Sequence, residues 1–254
     1  MTSAKIVIVS DPDALARAAA VEFTTRAQAA VRARNRFAVA LAGGSTPQRL
    51  YRLLADPSAP FHAQIPWEKT HLFWGDERHV PPEDPQSNYR LVREVLLSRV
   101  SMPAGNVHRI EAERPDAAEV ALAYEQELRR FFVLAPGEAP RLDLVLLGMG
   151  SDGHTASLFP GTTALEERER LVAAPWVPRF NAYRITLTLP VFNRAAGVVF
   201  LVSGEDKAAT LRAVFDEGSA RNGLPCQRIR PLEGDLLWLV DRAAARLLPG
   251  AEKP

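Results

Sequence analysis

A chain of 254 residues that is 47% apolar and 24% charged has the composition of an ordinary globular protein, which excludes a fibrous or disordered one and allows a sizeable core. Thirty-one Lys and Arg against 30 Asp and Glu leave a formal charge of +1, so no global field favours nucleic acid or an anionic membrane, and neither is expected as a partner. The one cysteine, Cys226, rules out an internal disulfide, and no apolar stretch approaches the roughly 20 residues that span a bilayer.

The N-terminal segment holds a single short apolar run, Ile6 to Val9, too brief for a signal-peptide core, and a cytoplasmic location is expected. Lys5–Val9 reads as the first strand. Asp11 as N-cap and Pro12 at the first helical position then open a long helix, Pro12–Arg34. Further strands are predicted over residues 37–42, 71–74, 142–147, 185–189 and 198–202, and further helices over 47–55, 88–100, 116–132 and 205–215. Late strands are predicted over 221–231 and 236–240, with Pro225 and Pro231 confining the first to an edge. Strands alternating with helices point to an α/β fold around a mostly parallel sheet, in one domain with a small late-strand subregion.

Four segments place reactive residues where a strand ends. The first runs from an apolar strand into Gly43, Gly44, Ser45 and Thr46, with Pro47 starting a helix. Paired glycines before a helix suit an anion such as phosphate, while the plainer reading is a tight turn in which Thr46 caps the helix. In the second, a strand delivers Gly75, Asp76, Glu77 and Arg78. Asp76 and Arg78 could hold a sugar hydroxyl and an anionic oxygen, or simply form a solvated loop of ion pairs.

The third segment, LDLVLLGMGSDGHTASLFP, breaks from a strand into a glycine-rich loop carrying Asp152 and His154. Histidine titrates near neutrality, and a neighbouring carboxylate can orient it, so the loop reads as catalytic rather than as packing. In the fourth, a strand ends in Ser203-Gly204 and Lys207 sits in the first turn of the following helix, against the macrodipole. Either an anionic ligand or the neighbouring Glu205 and Asp206 can balance it. Arg184 and Arg179 are further candidates for an anion, or plain strand-flanking charges. His62, His71, His79 and His108 show no zinc spacing, and Trp67, Trp74, Trp176 and Trp238 read as packing residues.

Together, AGGSTPQRLY, WGDERHVPPEDPQSNY, LLGMGSDGHTASLFPG, RITLTLPVFN and VSGEDKAATL resemble, in order and over nearly the whole chain, the 6-phosphogluconolactonase family. That family lies within a superfamily that also holds glucosamine-6-phosphate deaminases and ribose-5-phosphate isomerases. The resemblance implies a Rossmann-like three-layer fold with the site at the strand C-termini. It also implies that His154 is a general base, that Asp76, Arg78 and Lys207 bind substrate, and that Gly43, Gly44, Ser45 and Thr46 line the same pocket. The substrate would be 6-phosphogluconolactone, a small molecule, with no cofactor, no metal, and a monomer or weak homodimer as the working form. Deaminases resemble the chain through their own Asp-Gly-His segment but continue it with Phe-Asn-Glu-Pro, whereas Ala156 to Pro160 supplies no carboxylate here. A non-catalytic sugar-phosphate sensor would want a DNA-binding segment, for which there is no room before Lys5.

Overall fold

The computed structural model describes residues 4–216 and 223–249. Its strands and helices are, in chain order, β1 (Lys5–Val9), α1 (Pro12–Arg34), β2 (Phe37–Leu41), α2 (Ser45–Ala55), β3 (Thr70–Trp74), β4 (Asp76–Arg78), α3 (Asn88–Val92), β5 (Val107–His108), α4 (Ala117–Phe132), β6 (Leu144–Leu147), β7 (Val172–Ala173), β8 (Trp176–Val177), β9 (Ala182–Leu187), α5 (Leu189–Arg194), β10 (Gly197–Val202), α6 (Ala208–Phe215), β11 (Asp235–Asp241) and α7 (Arg242–Ala245).

Seven strands form one parallel sheet in the order β1-β11-β10-β6-β2-β3-β5. Every residue of β2, β6 and β10 is buried, so both faces of the sheet are covered, as a parallel sheet flanked by crossover helices requires. This is the expected mostly parallel α/β architecture. From β2 the chain moves outward to β3 and β5; from β6 it moves the opposite way, to β10 and β11. The neighbouring carboxyl ends of β2 and β6 therefore flank the point where the winding reverses, the usual place for a ligand in such a sheet.

β1 and α1 coincide with the predicted spans, and the Asp11 side chain caps α1 by accepting from the amides of Asp13 and Ala14. Other boundaries shift for local reasons. The segment after Ser87 is helical only to Leu97, its second half wound as a π-helical stretch, Arg93–Leu97. Leu189, expected in a strand, instead opens α5, whose first turn accommodates Pro190.

Among the described residues the late-strand subregion is not found. Residues 223–231 form no strand: Pro225, without an amide hydrogen to donate to a ladder, starts a short 3-10 turn, Pro225–Arg228, while residues 221–222 lie outside the described residues. The other late strand, β11, is interior to the main sheet, between β1 and β10. The small second sheet comes from the middle of the chain instead, as antiparallel β4-β9-β7 with β8 beside β9.

Two phenols hold the strand ends from which site loops depart. Tyr51 of α2 accepts from the Ala42 amide at 3.0 Å and donates to its carbonyl at 2.7 Å. Tyr124 of α4 does the same at Trp74, at 2.8 and 3.2 Å.

Candidate active site

His154 lies on a loop whose shape is set by its own backbone. The Gly150 amide donates to the His154 carbonyl, the Gly153 amide to the Gly150 carbonyl, and the Cys226 amide to the Gly153 carbonyl. Gly150 is required by contact: a Cβ there would sit 2.0 Å from His154 Nδ1 and 2.7 Å from Asp152 Oδ1. The imidazole thus lies against bare backbone.

Asp152 Oδ1 is 2.5 Å from His154 Nδ1 and accepts from the His154 amide at 3.1 Å. Burial opposes ionisation of Asp152, but the hydrogen bond and charge of His154 outweigh it and hold the carboxyl below its usual range. An ionised carboxylate accepts only, so the shared hydrogen belongs to Nδ1 and the lone pair of a neutral ring lies on Nε2. The face of the ring stacks on Phe159, with centroids 4.2 Å apart and planes 28° apart. Arg179 donates to the second Asp152 oxygen at 3.2 Å. It therefore braces the carboxylate, a role that the sequence did not signal.

The small sheet presents the second half of the site. Asp76 and Arg78 lie on β4, and the register sets Arg78 directly opposite Arg184 of β9. Among the described residues neither guanidinium has a carboxylate within ion-pair distance: Arg78 donates to the Gln86 carbonyl, and Arg184, only 7% exposed, reaches the Tyr183 carbonyl at 3.5 Å. Burial, then the charge of Arg78, pushes Arg184 below its ordinary pKa, with Asp76 and Glu77 opposing. Two adjacent cations left without carboxylates are an arrangement that an anion can neutralise. The ion-paired surface loop considered for this segment is thereby ruled out.

Asp76 accepts from Ser157 Oγ at 2.7 Å, which ties β4 to the histidine loop, and from Asn88 Nδ2 at 3.3 Å. Glu77 is buried and structural: its carboxylate takes the amides of Asn88, Tyr89 and Arg78 and the Ser87 hydroxyl. Burial raises its pKa against those hydrogen bonds.

At the end of β2, Gly43 packs against Asn88; a Cβ there would come within 1.8 Å of the amide oxygen. Gly44 adopts φ +101 as N-cap of α2, so the helix starts at Ser45 rather than Pro47 and Thr46 lies in its first turn instead of capping it. No side chain caps that end and no acidic residue lies in its first turn, so the positive pole of α2 is open. Lys207 lies at the start of α6, where its amine pairs with Asp206 at 2.8 Å. The balancing by a neighbouring carboxylate foreseen for it is realised. Thr210 of α6 donates to the Ser151 carbonyl at 2.6 Å, so the lysine's helix abuts the histidine loop. Ser203 and the Gly204 amide are fixed in turn by the buried Asp241.

Known proteins resemble this chain over nearly its whole length. Residues 10–238 match the family model described as glucosamine-6-phosphate isomerases/6-phosphogluconolactonase. The chain is 42% identical to a 6-phosphogluconolactonase of Nostoc sp. over 239 residues, covering 94% of this chain and 96% of that protein. It is 42% identical to a human 6-phosphogluconolactonase over 218 residues, covering 85% and 82%. The solved structure of 6-phosphogluconolactonase from Trypanosoma brucei superposes with a TM-score of 0.86 at 28% identity, covering 98% of this chain and all of that one. With a family model matched from residue 10 to residue 238 and a relative 42% identical over 94% of its length, the chain belongs to the glucosamine-6-phosphate isomerase/6-phosphogluconolactonase family.

Proposed function

We propose that the protein hydrolyses 6-phospho-D-glucono-1,5-lactone to 6-phospho-D-gluconate, with His154 as the general base that activates water. The observation that carries the reading is an Asp-His pair, fixed on a glycine-rich loop, joined through Ser157 to a strand whose arginine faces a second arginine across the ladder. The near-full-length likeness to 6-phosphogluconolactonases gives the substrate class.

A lactone is an ester, so its opening needs a nucleophile and a proton for the departing ring oxygen. Nε2 of neutral His154 takes a proton from water as the oxygen attacks the carbonyl carbon. When the tetrahedral centre collapses, the bond from that carbon to the ring oxygen breaks and the imidazolium returns the proton to the ring oxygen. Asp152 keeps the hydrogen on Nδ1 and stabilises the ring while it is charged. Arg78 and Arg184 hold the 6-phosphate, the remote group that fixes the ester over the base. Gly43, Gly44, Ser45, Thr46 and Lys207 place further amide and ammonium groups along the same carboxyl edge of the sheet, and Asp76 is left to meet sugar hydroxyls. A cytoplasmic monomer or weak homodimer is the working form we infer.

The deciding assay follows lactone generated in situ, because it also hydrolyses spontaneously. Disappearance should be faster with the protein than without it, and His154→Ala should remove about 10² to 10⁴ of the rate while leaving KM near its starting value. No acceleration over the spontaneous reaction, or release of ammonia from glucosamine 6-phosphate, would overturn the reading.

A further inference from the structure

The base and the anion receptor are bridged by one half-exposed ring. His154 stacks on Phe159 at 4.2 Å, and Phe159 meets Phe180 edge to face at 5.6 Å. Two guanidiniums also lie over Phe180: Arg184 Cζ is 4.9 Å from its centroid and Arg179 Cζ is 5.5 Å from it. Those two arginines face the two halves of the site. Arg184 stands opposite Arg78 without a carboxylate, while Arg179 braces Asp152. Phe180 closes the short turn Pro178–Phe180, and Asn181 follows with φ 47, so the ring is presented by a tight bend between β8 and β9.

We propose that Phe180 is a positioning residue which transmits occupancy of the Arg78 and Arg184 receptor, through Phe159, to the imidazole of His154. The proposal rests on the assignment of the substrate phosphate to those arginines. Arg184 is drawn to two partners, the face of Phe180 and whatever anion enters, and a guanidinium holds a ring face only while it lies over it. A phosphate that engages Arg184 and Arg78 together fixes the guanidinium, and with it the angle of Phe180 against Phe159. Phe159 in turn is the surface on which the imidazole rests. Binding energy from the non-reacting end of the substrate is thereby spent on setting the base, which raises kcat rather than only lowering KM.

The test uses the two ends of the substrate as separate pieces, with phosphate-free glucono-1,5-lactone as the ester and inorganic phosphate added in trans. In the unmodified protein, phosphate should accelerate hydrolysis saturably by about 10-fold or more. In Phe180→Leu, which keeps an apolar side chain but loses the ring face, phosphate should still bind within about threefold of its original affinity, yet accelerate by less than about twofold. Phe180→Tyr should restore the acceleration. The His154 imidazole resonances should move on phosphate addition in the unmodified protein and in Phe180→Tyr, and stay still in Phe180→Leu. The 43% exposure of Phe180 makes these variants foldable. Equal acceleration in Phe180→Leu, or phosphate binding to the unmodified protein without acceleration, overturns the coupling. Failure of the functional reading is separately visible, since it is scored on the phosphorylated lactone with the unmodified protein alone.

Discussion

Gly150→Ala tests the site at the point where it is tightest. The new methyl carbon would start 2.0 Å from His154 Nδ1, 2.1 Å from Cε1 and 2.7 Å from Asp152 Oδ1, whereas ordinary contact begins near 3.4 Å. Either the ring or the loop must give by more than an ångström, and the close hydrogen bond between Asp152 and Nδ1 must open. Misplacement of a reacting group on that scale lowers rate by about 10²-fold, or close to 3 kcal/mol of transition-state stabilisation. Gly148, two residues earlier in the same loop, supplies the control: a Cβ there meets nothing within 4 Å. Initial rates on freshly generated lactone, with thermal unfolding to confirm the fold, should show Gly150→Ala about 100-fold down in kcat and Gly148→Ala within about threefold of the unmodified protein. A Gly150→Ala variant with near-normal kcat would refute the placement of His154 as the base.

Other expectations follow from the same contacts. Arg184→Met should raise KM for the phosphorylated lactone by about 10-fold or more, while leaving KM for the phosphate-free lactone within about twofold, as read by steady-state kinetics on both. Asp152→Asn should lower kcat by more than it changes KM, as read by steady-state kinetics at pH 8, because the carboxylate that holds the hydrogen on Nδ1 is gone. His71 is lowered to about 4 by burial first, then by the charges of His108 and Arg36, while Glu127 sits on the far side of His108. An unfolded histidine binds its proton near 6.5, so stability falls as pH drops from 6.5 toward 4. For this partly exposed ring the loss is about 1 to 2 kcal/mol after discounting for solvent, and urea titrations should show it shrinking in His71→Phe. Tyr51→Phe leaves the Ala42 amide and carbonyl without their partner and should destabilise by about 1 to 3 kcal/mol in the same titrations.

The loops were legible because each is announced by an apolar strand that breaks into glycine: Gly43-Gly44, Gly75 and Gly148 all follow buried strands of the main sheet. The pairing of Arg78 with Arg184 was not legible, since it depends on the register between β4 and β9, more than 100 residues apart in sequence. β4 itself, Asp-Glu-Arg, reads as a solvated loop because three charges in a row seldom pair in a buried ladder; it does so here because Glu77 collects three backbone amides and a hydroxyl. The predicted strand over 221–231 had the apolar content of an edge but failed at Pro225, and β11 gave no sign in its own sequence that it would return between β1 and β10. Arg179 was singled out as a candidate for an anion, but its pairing with Asp152 and the part of Phe180 were invisible for a related reason. They act through contacts with the 152–159 loop, and no periodicity records those.

Tyr51 and Tyr124 divide the molecule's labour between wall and rim. Because each phenol reaches in from a helix, the last peptide of the strand is secured by a residue that takes no part in the loop beyond it. Ser45, Thr46 and Arg78, which neither pack a bare backbone nor collect buried amides, can therefore be exchanged for others that greet a different anion or sugar while the sheet beneath keeps its edge. A scaffold anchored in this way can pass unchanged between descendants whose chemistries diverge.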